Sequence, residues 1–274
     1  MSNSKPSETT LRVDEPFVSI VIPTRNSSSN LPRLLQSIEA QGYHRREVIV
    51  VDNNSSDATS SIATDYGCTV LHAGPERSNQ RNTGALTAHG DFLLFVDSDM
   101  ELAPGLLETC IRVSQEVDGV CIRETTIGDG YWVRVRSFER SRYFRTNLFE
   151  AARGFWRDVF SQLGGYDATL TGLEDYDLHA RFVEMGFRLG WVETPLFHHE
   201  EGLTLSEYLR KRAYYGRTDR RYAARYPQRW REQRSLMRRI QYVLGGPMQP
   251  ADLILLPGLA IMRGLERLVR ARVS

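Results

Sequence analysis

Residues 91–99 read DFLLFVDSD: an apolar run, Phe92-Leu93-Leu94-Phe95-Val96, that ends in two carboxylates one residue apart, Asp97 and Asp99. A short continuous apolar run of this kind reads as a strand buried on both faces. Two carboxylates at its mouth can hold a hard divalent cation against a phosphate-bearing ligand. Short acidic triplets are also common solvated turns, so the surrounding chain decides the meaning of this one.

Two runs of the same kind lie upstream, FVSIVIP (17–23) and EVIVVD (47–52), both rich in β-branched residues. Between them Asn30 stands where it can cap a helix that carries Leu31, Leu34, Leu35 and Ile38 at helical spacing, with Gly42 after its end. The pattern repeats with a helix from Asp57, a short strand Thr69-Val70-Leu71, a helix from Ser78 to His89 and the strand at 91–96. Such alternation predicts an α/β fold with a mostly parallel sheet between layers of helices. Ligands of these sheets sit beyond the carboxyl ends of the strands. Thr24-Arg25-Asn26, Asp52-Asn53-Asn54 and Asp97-Ser98-Asp99 all fall there. Any one of them reads equally well as a turn; their convergence on one edge points to a ligand site.

Downstream the signal weakens. Residues 134–157 alternate Arg with aromatic side chains and suggest no element. Gly164-Gly165-Tyr166-Asp167 marks a turn. Glu174-Asp175-Tyr176-Asp177-Leu178 opens a helix that runs to about Gly186, with acids suited to the helix dipole. Residues 188–197 read as a strand ending in His198-His199-Glu200-Glu201.

The 274 residues, 41% hydrophobic and 25% charged, suffice for one large α/β domain or a core domain with an appendage. No apolar run approaches the roughly 18 residues of a spanning helix. The first fifteen residues are polar and read as a disordered lead-in without the apolar core of a signal peptide, so the expected location is the cytoplasm. Cys68, Cys110 and Cys121 lack metal-ligand spacing and read as reduced thiols. The net charge of +1 conceals a division: residues 205–274 hold sixteen Lys or Arg against five Asp or Glu, a net +11, which leaves −10 for the rest.

The ordered motifs IPTRN (22–26), VVDNNSSD (50–57), ERSNQRN-x-GA (76–85), FVDSD (95–99), LGGYD (163–167) and LEDYDL (173–178) resemble those of the inverting glycosyltransferases of family 2, which have the GT-A fold. The resemblance covers roughly residues 16–200. It implies a Rossmann-like, mostly parallel sheet flanked by helices, and the transfer of a sugar from a UDP-, GDP- or dTDP-linked donor to an acceptor hydroxyl. The chain then divides into a lead-in (1–15), a GT-A domain (16–204, with a nucleotide-binding half 16–100 and an acceptor half 101–204) and a basic helical extension (205–274).

The same resemblance implies Mg²⁺ or Mn²⁺ ligated by Asp99, with Asp97 near the ribose or in the metal's water shell. A histidine after the last core strand supplies a further ligand, His198 or alternatively His199, with Glu200 the less favoured choice. By match to the family's Glu-Asp motif, Asp175 is the general base and Glu174 orients acceptor or donor hydroxyls, while Asp177 supports the helix start or a neighbouring Arg. Pro23, Thr24 and Asn26 resemble the loop along base and ribose; Arg25 stands where many relatives carry an aromatic or small residue. Asp52 matches the carboxylate that accepts a hydrogen bond from the base, Asn54 and Asp57 belong to the same segment, and Ser98 joins Asp97 on the donor side. Arg77 and Arg81 offer forked donors to the diphosphate or the donor sugar, and Asn82 supports the loop.

From Tyr208 to Arg239 the tail sets Arg beside Tyr and Trp, and residues 251–262 (ADLILLPGLAIM) are apolar. This fits contact with an anionic membrane surface, which would make the protein peripheral and bring it to a lipid-linked or other glycan acceptor. It fits equally a helical cap that packs Leu253 to Met262 on the core and leaves its Arg residues solvated. No nucleic-acid-binding motif accompanies the charge, so nucleic acid is not an expected partner. Two other functions compete. A sugar nucleotidyltransferase usually opens with a Gly-rich, Arg/Lys-bearing loop, which IPTRNSSSN lacks. A scaffold without catalysis has no use for Asp99 and Asp175 together.

Overall fold

A computed structural model describes residues 12–273, so most of the expected lead-in lies outside the described residues. The chain runs through β1 (Val18–Thr24), α1 (Leu31–Glu39), β2 (Arg46–Asp52), α2 (Thr59–Asp65), β3 (Thr69–His72), α3 (Arg77–Thr87) and β4 (Phe92–Phe95). It continues through β5 (Met100–Leu102), α4 (Leu106–Ser114), β6 (Gly119–Ile127), α5 (Tyr131–Ser141), β7 (Gly154–Trp156), α6 (Arg157–Leu163), α7 (Glu174–Glu184) and β8 (Leu189–His199). Helices follow: α8 (Leu205–Tyr215), α9 (Asp219–Arg225), α10 (Pro227–Arg234), α11 (Leu236–Leu244) and α12 (Leu255–Val273). Two compact units result, one of Met1–Arg123, Ala151–Asp167 and Asp177–Leu196, the other of Glu124–Glu150, Ala168–Tyr176 and Phe197–Ser274.

The strands form one sheet in the order β3-β2-β1-β4-β7-β6-β8-β5. β1 pairs in parallel with β2 and β4, and β2 with β3, which is the arrangement the upstream motifs predict. β7 is antiparallel to both β4 and β6, so the second half of the sheet is mixed. Three residues are too few to show a period, which is why β7 is invisible among the Arg and aromatic residues of 134–157. β1 and β4 are buried along their whole length and β2 over its last four residues, and α1 buries Leu31, Leu34, Leu35 and Ile38. Asn30 does not cap α1 with its side chain. It sits in a helical conformation, and the amides of Asn30 and Leu31 both donate to the Ser27 carbonyl, so a turn enters the helix in place of the expected cap. α3 lies close on the sheet because of Gly84: a Cβ there would stand 2.4 Å from Val21 Cγ1. That closeness sets the register of the polar face of α3.

The second unit has its own core of Val135, Phe138, Tyr208, Val243, Leu255, Leu259 and Met262. The basic extension therefore shares its core with α5 from the middle of the chain. Its Arg residues are not simply solvated, as the cap alternative expects. Arg263 pairs with Glu139 and Glu266, Arg239 with Glu139 at 3.3 Å, and Arg270 with Asp219. Charges taken out of water need such partners, since a buried unpaired ion is strongly destabilising.

Candidate active site

The parallel register sets Thr24 of β1 beside Asp52 of β2, and Asp52 beside His72 of β3. Pro23, Thr24 and Asp52 are buried, whereas Arg25, Asn26 and Asn54 are exposed on the loops that follow β1 and β2. Asp52, only 1% exposed, spends its carboxylate within its own loop: Oδ2 accepts from the Ser55 amide (3.0 Å) and the Ser60 hydroxyl (3.0 Å), and Oδ1 accepts from the Ser55 hydroxyl. Asn26 and Asn54 both adopt left-handed backbone, with φ of 48° and 49°, a conformation Asn tolerates better than most residues. The Asn26 amide donates to Ser55 Oγ (2.8 Å), and its Oδ1 accepts from the Ser56 amide (2.9 Å). Asp57 accepts from the amides of Ser28 (3.1 Å) and Thr59 (3.0 Å); the Thr59 hydroxyl, with these bonds, holds its carboxyl down at about 2. The loops at 24–28 and 52–59 are thus laced into one surface. Their acids and amides are legible in the sequence as edge residues; that they bond to one another is not.

Gln80 completes this edge from below. Buried on α3, it donates to the carbonyls of Thr24 (2.8 Å) and Val51 (2.6 Å), satisfying two strand-end acceptors. Sequence reasoning missed it, although a Gln inside an otherwise charged helix motif was the available signal.

Next along α3, Arg81 is 1% exposed and donates from Nη2 to Asp97 Oδ1 at 2.7 Å. Arg153 donates to the other oxygen, Oδ2, at 3.3 Å. Burial opposes the charge on Asp97, but the guanidiniums of Arg81, Arg153 and Arg77 outweigh it and hold the carboxyl far below the usual carboxylate range. Arg81 also lies over the ring of Tyr166, 5.1 Å from its centroid. Asn82 braces that tyrosine by exchanging two hydrogen bonds with its backbone, at 2.8 and 2.9 Å. Gly165, at φ +72°, is required beside it, because a Cβ would come within 2.8 Å of Asn82 Oδ1. Asp177 pairs with Arg181, which in turn donates to the carbonyls of Leu163 and Gly165, so it fastens the LGGYD turn. Ser98 Oγ lies 2.9 Å from Ser27 Oγ, and Asp99 is half-buried just beyond.

Within the second unit, Glu174 is buried and Asp175 half-buried, following Leu173 in left-handed backbone at φ 65°. The Tyr176 hydroxyl donates to the Phe149 carbonyl at 3.0 Å, and burial, helped by Glu150, raises its pKa to about 12. His198 and His199 close β8 itself. Arg140 Nη1 stands 3.1 Å from His198 Nδ1 and donates to Thr126 Oγ1 at 2.9 Å; Glu124 Oε2 is 3.8 Å from the same ring nitrogen. Glu200 is held by two bonds from Arg136, at 2.9 and 3.2 Å; burial opposes its charge, but Arg136 brings its pKa down to about 2.

The donor chemistry can be set against a hard divalent cation. Asp99 offers carboxylate oxygen and fits. Asp97 has an oxygen on each of two guanidiniums, which suits contact through water better than direct ligation. Arg140 can only donate, so its approach to Nδ1 places the proton of a neutral His198 ring on Nε2. Ligation through Nε2 requires the other tautomer, with Nδ1–H turned to Glu124. Among the described residues no three His, Cys, Asp or Glu side chains lie together as a ready ligand set.

Residues 19–164 match the family described as Glycosyl transferase family 2. Over 233 residues the chain is 28% identical to the pre-mycofactocin glycosyltransferase of Mycobacterium tuberculosis, covering 77% of this chain and 48% of that one. Over 111 residues it is 32% identical to the GalNAc(5)-diNAcBac-PP-undecaprenol beta-1,3-glucosyltransferase of Campylobacter jejuni, covering 37% of this chain and 35% of that one. It thus spans about half the length of the first relative and about a third of the second. Among solved structures it resembles the mannosyltransferase PcManGT from Pyrobaculum calidifontis in complex with GDP-Man and Mn²⁺, with a TM-score of 0.63 and 16% identity over 94% of this chain and 87% of that one. S. aureus TarS 1-349 in complex with UDP-GlcNAc gives a TM-score of 0.56 and 18% identity over 93% of this chain and 90% of that one. The likeness shows the GT-A fold that the motifs imply.

Proposed function

The chain belongs to glycosyl transferase family 2, and on that premise we propose that it moves a sugar from a nucleoside-diphosphate donor to an acceptor hydroxyl with inversion at the anomeric carbon. The observation that carries this reading is the corner at the end of β4, where Arg81 and Arg153 hold Asp97 as a carboxylate next to Asp99. A leaving diphosphate gathers negative charge as the glycosidic bond breaks, and preorganised cations lower that barrier.

Asp99 would hold Mg²⁺ or Mn²⁺; when bound, the metal supplies charge neutralisation for the leaving diphosphate. Asp97 fixes Arg81 and Arg153 in place and faces ribose or the metal's water. Arg77, at the first residue of α3, reaches the donor phosphates. The laced loops carrying Pro23, Thr24, Arg25, Asn26, Asp52, Asn54 and Ser98 form the nucleotide's floor, with Asp52 shaping the loop as well as reading the base. Asp175 takes the proton of the attacking hydroxyl, a role that contributes roughly 10²- to 10⁴-fold, and Glu174 orients the sugar hydroxyls.

The acceptor class we favour is a glycan or a lipid-linked precursor; the name of the Campylobacter relative includes a polyprenol, which supports the second. The test is a screen of UDP-, GDP- and dTDP-sugars for thermal stabilisation with and without Mn²⁺ or Mg²⁺. Stabilisation by one nucleotide class that needs the metal supports the reading. Failure of every nucleotide sugar to stabilise the protein with either metal refutes it.

A further inference from the structure

The outer faces of α11 and α12 are apolar where a water-facing helix carries charge. On α11, Leu236, Met237, Ile240 and Leu244 fall at i, i+1, i+4 and i+8, within about 100° of arc at 3.6 residues per turn. The core uses only the flank of this stripe: Val243 is buried among the second unit's apolar residues, and Arg239 turns to Glu139. α12 is inverted. Glu266 and Arg270 are buried and Arg263 is drawn into ion pairs, whereas Ile261, Gly264, Leu268 and Ala271, spaced by three and four, are exposed, with Arg272 the exposed charge at the end of this face. Leu253 and Ile254 occupy the turn at Pro250–Ile254 that links the two helices. The large apolar side chains of this set are between 40% and 64% exposed.

Single exposed apolar residues are ordinary, but a run of them over two consecutive helices and their connecting turn marks an interaction surface. The charge of the unit says what it meets. The second unit holds twenty-one Lys or Arg against thirteen Asp or Glu, a net +8, while the first has a net −7. Its buried acids Glu139, Asp219 and Glu266 are already matched by Arg, so the excess is carried by exposed residues such as Arg231 and Arg238. Apolar side chains that enter the headgroup boundary, flanked by Arg that meets phosphate, complement an anionic lipid surface. Among the described residues no helix is long and apolar enough to cross a membrane, so the helices would lie on the bilayer.

We propose that the outer faces of α11, the Pro250–Ile254 turn and α12 dock on anionic lipid headgroups. The stretch 251–262 contributes less to this surface than its composition suggests, because Leu255, Leu259 and Met262 are consumed by the core. The proposal is independent of the sugar-transfer reading.

The test is flotation of the full chain with vesicles of phosphatidylcholine alone or mixed with phosphatidylglycerol, at low and high salt. Binding should require phosphatidylglycerol and weaken with salt. The pairs Met237→Glu with Ile240→Glu, and Ile261→Glu with Leu268→Glu, should each lower partitioning about tenfold or more, with an unchanged melting temperature. Should either pair fail to fold, Ile240→Trp provides the second measurement, since the emission of the introduced indole should shift to the blue on adding the mixed vesicles. No vesicle binding, equal binding by the Glu variants, or an unshifted emission from the Ile240→Trp variant would each overturn the proposal. So would a concentration-dependent dimer dissolved by the same substitutions in a protein that does not bind vesicles, which would assign the face to a second copy.

Discussion

Replacing Arg81 with Met removes the guanidinium while keeping most of the buried stem. Arg81 is 1% exposed, its partner Asp97 is 17% exposed at the side chain, and their contact is 2.7 Å. A hydrogen bond to a charged group contributes about 1.5–3 kcal/mol, and a cation over an aromatic ring about 0.5–1 kcal/mol near a surface. Asp97 keeps Arg153 at 3.3 Å, so the full penalty of about 3–5 kcal/mol for stranding a buried ion does not apply. The expected loss is therefore about 2–4 kcal/mol, which moves a urea midpoint down by about 1–2 M at an m-value near 2–3 kcal/mol/M. The pH dependence identifies the cause. The folded-state pKa of Asp97 lies below its unfolded value, so its contribution is present above the unfolded pKa of about 3.9 and is lost as pH falls toward the folded one. With Arg81 gone the depression is smaller. The unfolded state is common to both proteins, so the gap between wild type and variant in urea unfolding should be flat above about pH 5 and should narrow only as pH falls through the variant's own folded-state pKa toward that of wild type. A loss under about 0.5 kcal/mol at pH 7, within the range of an ordinary surface change, or a gap that already changes between about pH 7 and pH 5, where Asp97 is ionised in both proteins, would refute the account of Asp97 as an ion held mainly by Arg81.

Three further outcomes are expected. Asp175→Asn should leave donor affinity within about threefold and lower turnover by about 10²-fold or more, read by steady-state kinetics beside calorimetric donor binding; turnover within tenfold of wild type would remove Asp175 as the base. Asp99→Ala should abolish the part of nucleotide-sugar stabilisation that depends on Mn²⁺ or Mg²⁺ while leaving the melting temperature of the free protein nearly unchanged, as thermal shift with and without metal will show. Gly165→Ala forces a Cβ onto left-handed backbone and against Asn82 Oδ1; a stability loss of about 1–2 kcal/mol or more is expected in urea unfolding, with Tyr166 and Arg81 disturbed together.

The first half of the sheet was legible because its residues obey one rule each. Val18–Thr24, Arg46–Asp52 and Phe92–Phe95 are apolar on both faces over most of their length, as only central strands between helix layers are. The polar loops that follow them had to fall at one edge, because parallel strands end there together. Less was legible in the Arg-rich middle and tail. α5 appears within residues 131–141 although Arg134, Arg136 and Arg140 interrupt its apolar pattern, and Arg136 and Arg140 make sense only once Glu200 and Thr126 stand opposite them. The tail's charge suggested a solvated face, while Glu139, at the far end of α5, turns Arg239 and Arg263 inward.

The sequence by itself determined the αβ alternation, the edge on which ligands gather, and the residues able to serve there, since hydrophobic period and strand-end chemistry are local properties. Only the tertiary structure decided how those residues are spent. It put both oxygens of Asp97 on guanidiniums, closed Asp52 into its own loop, set Arg140 against His198, and turned α12 so that Glu266 and Arg270 face in while Ile261 and Leu268 face out. Most of these outcomes depend on a partner tens of residues away or on which helix face meets the core. A one-dimensional pattern carries no information on such pairings until the chain has closed.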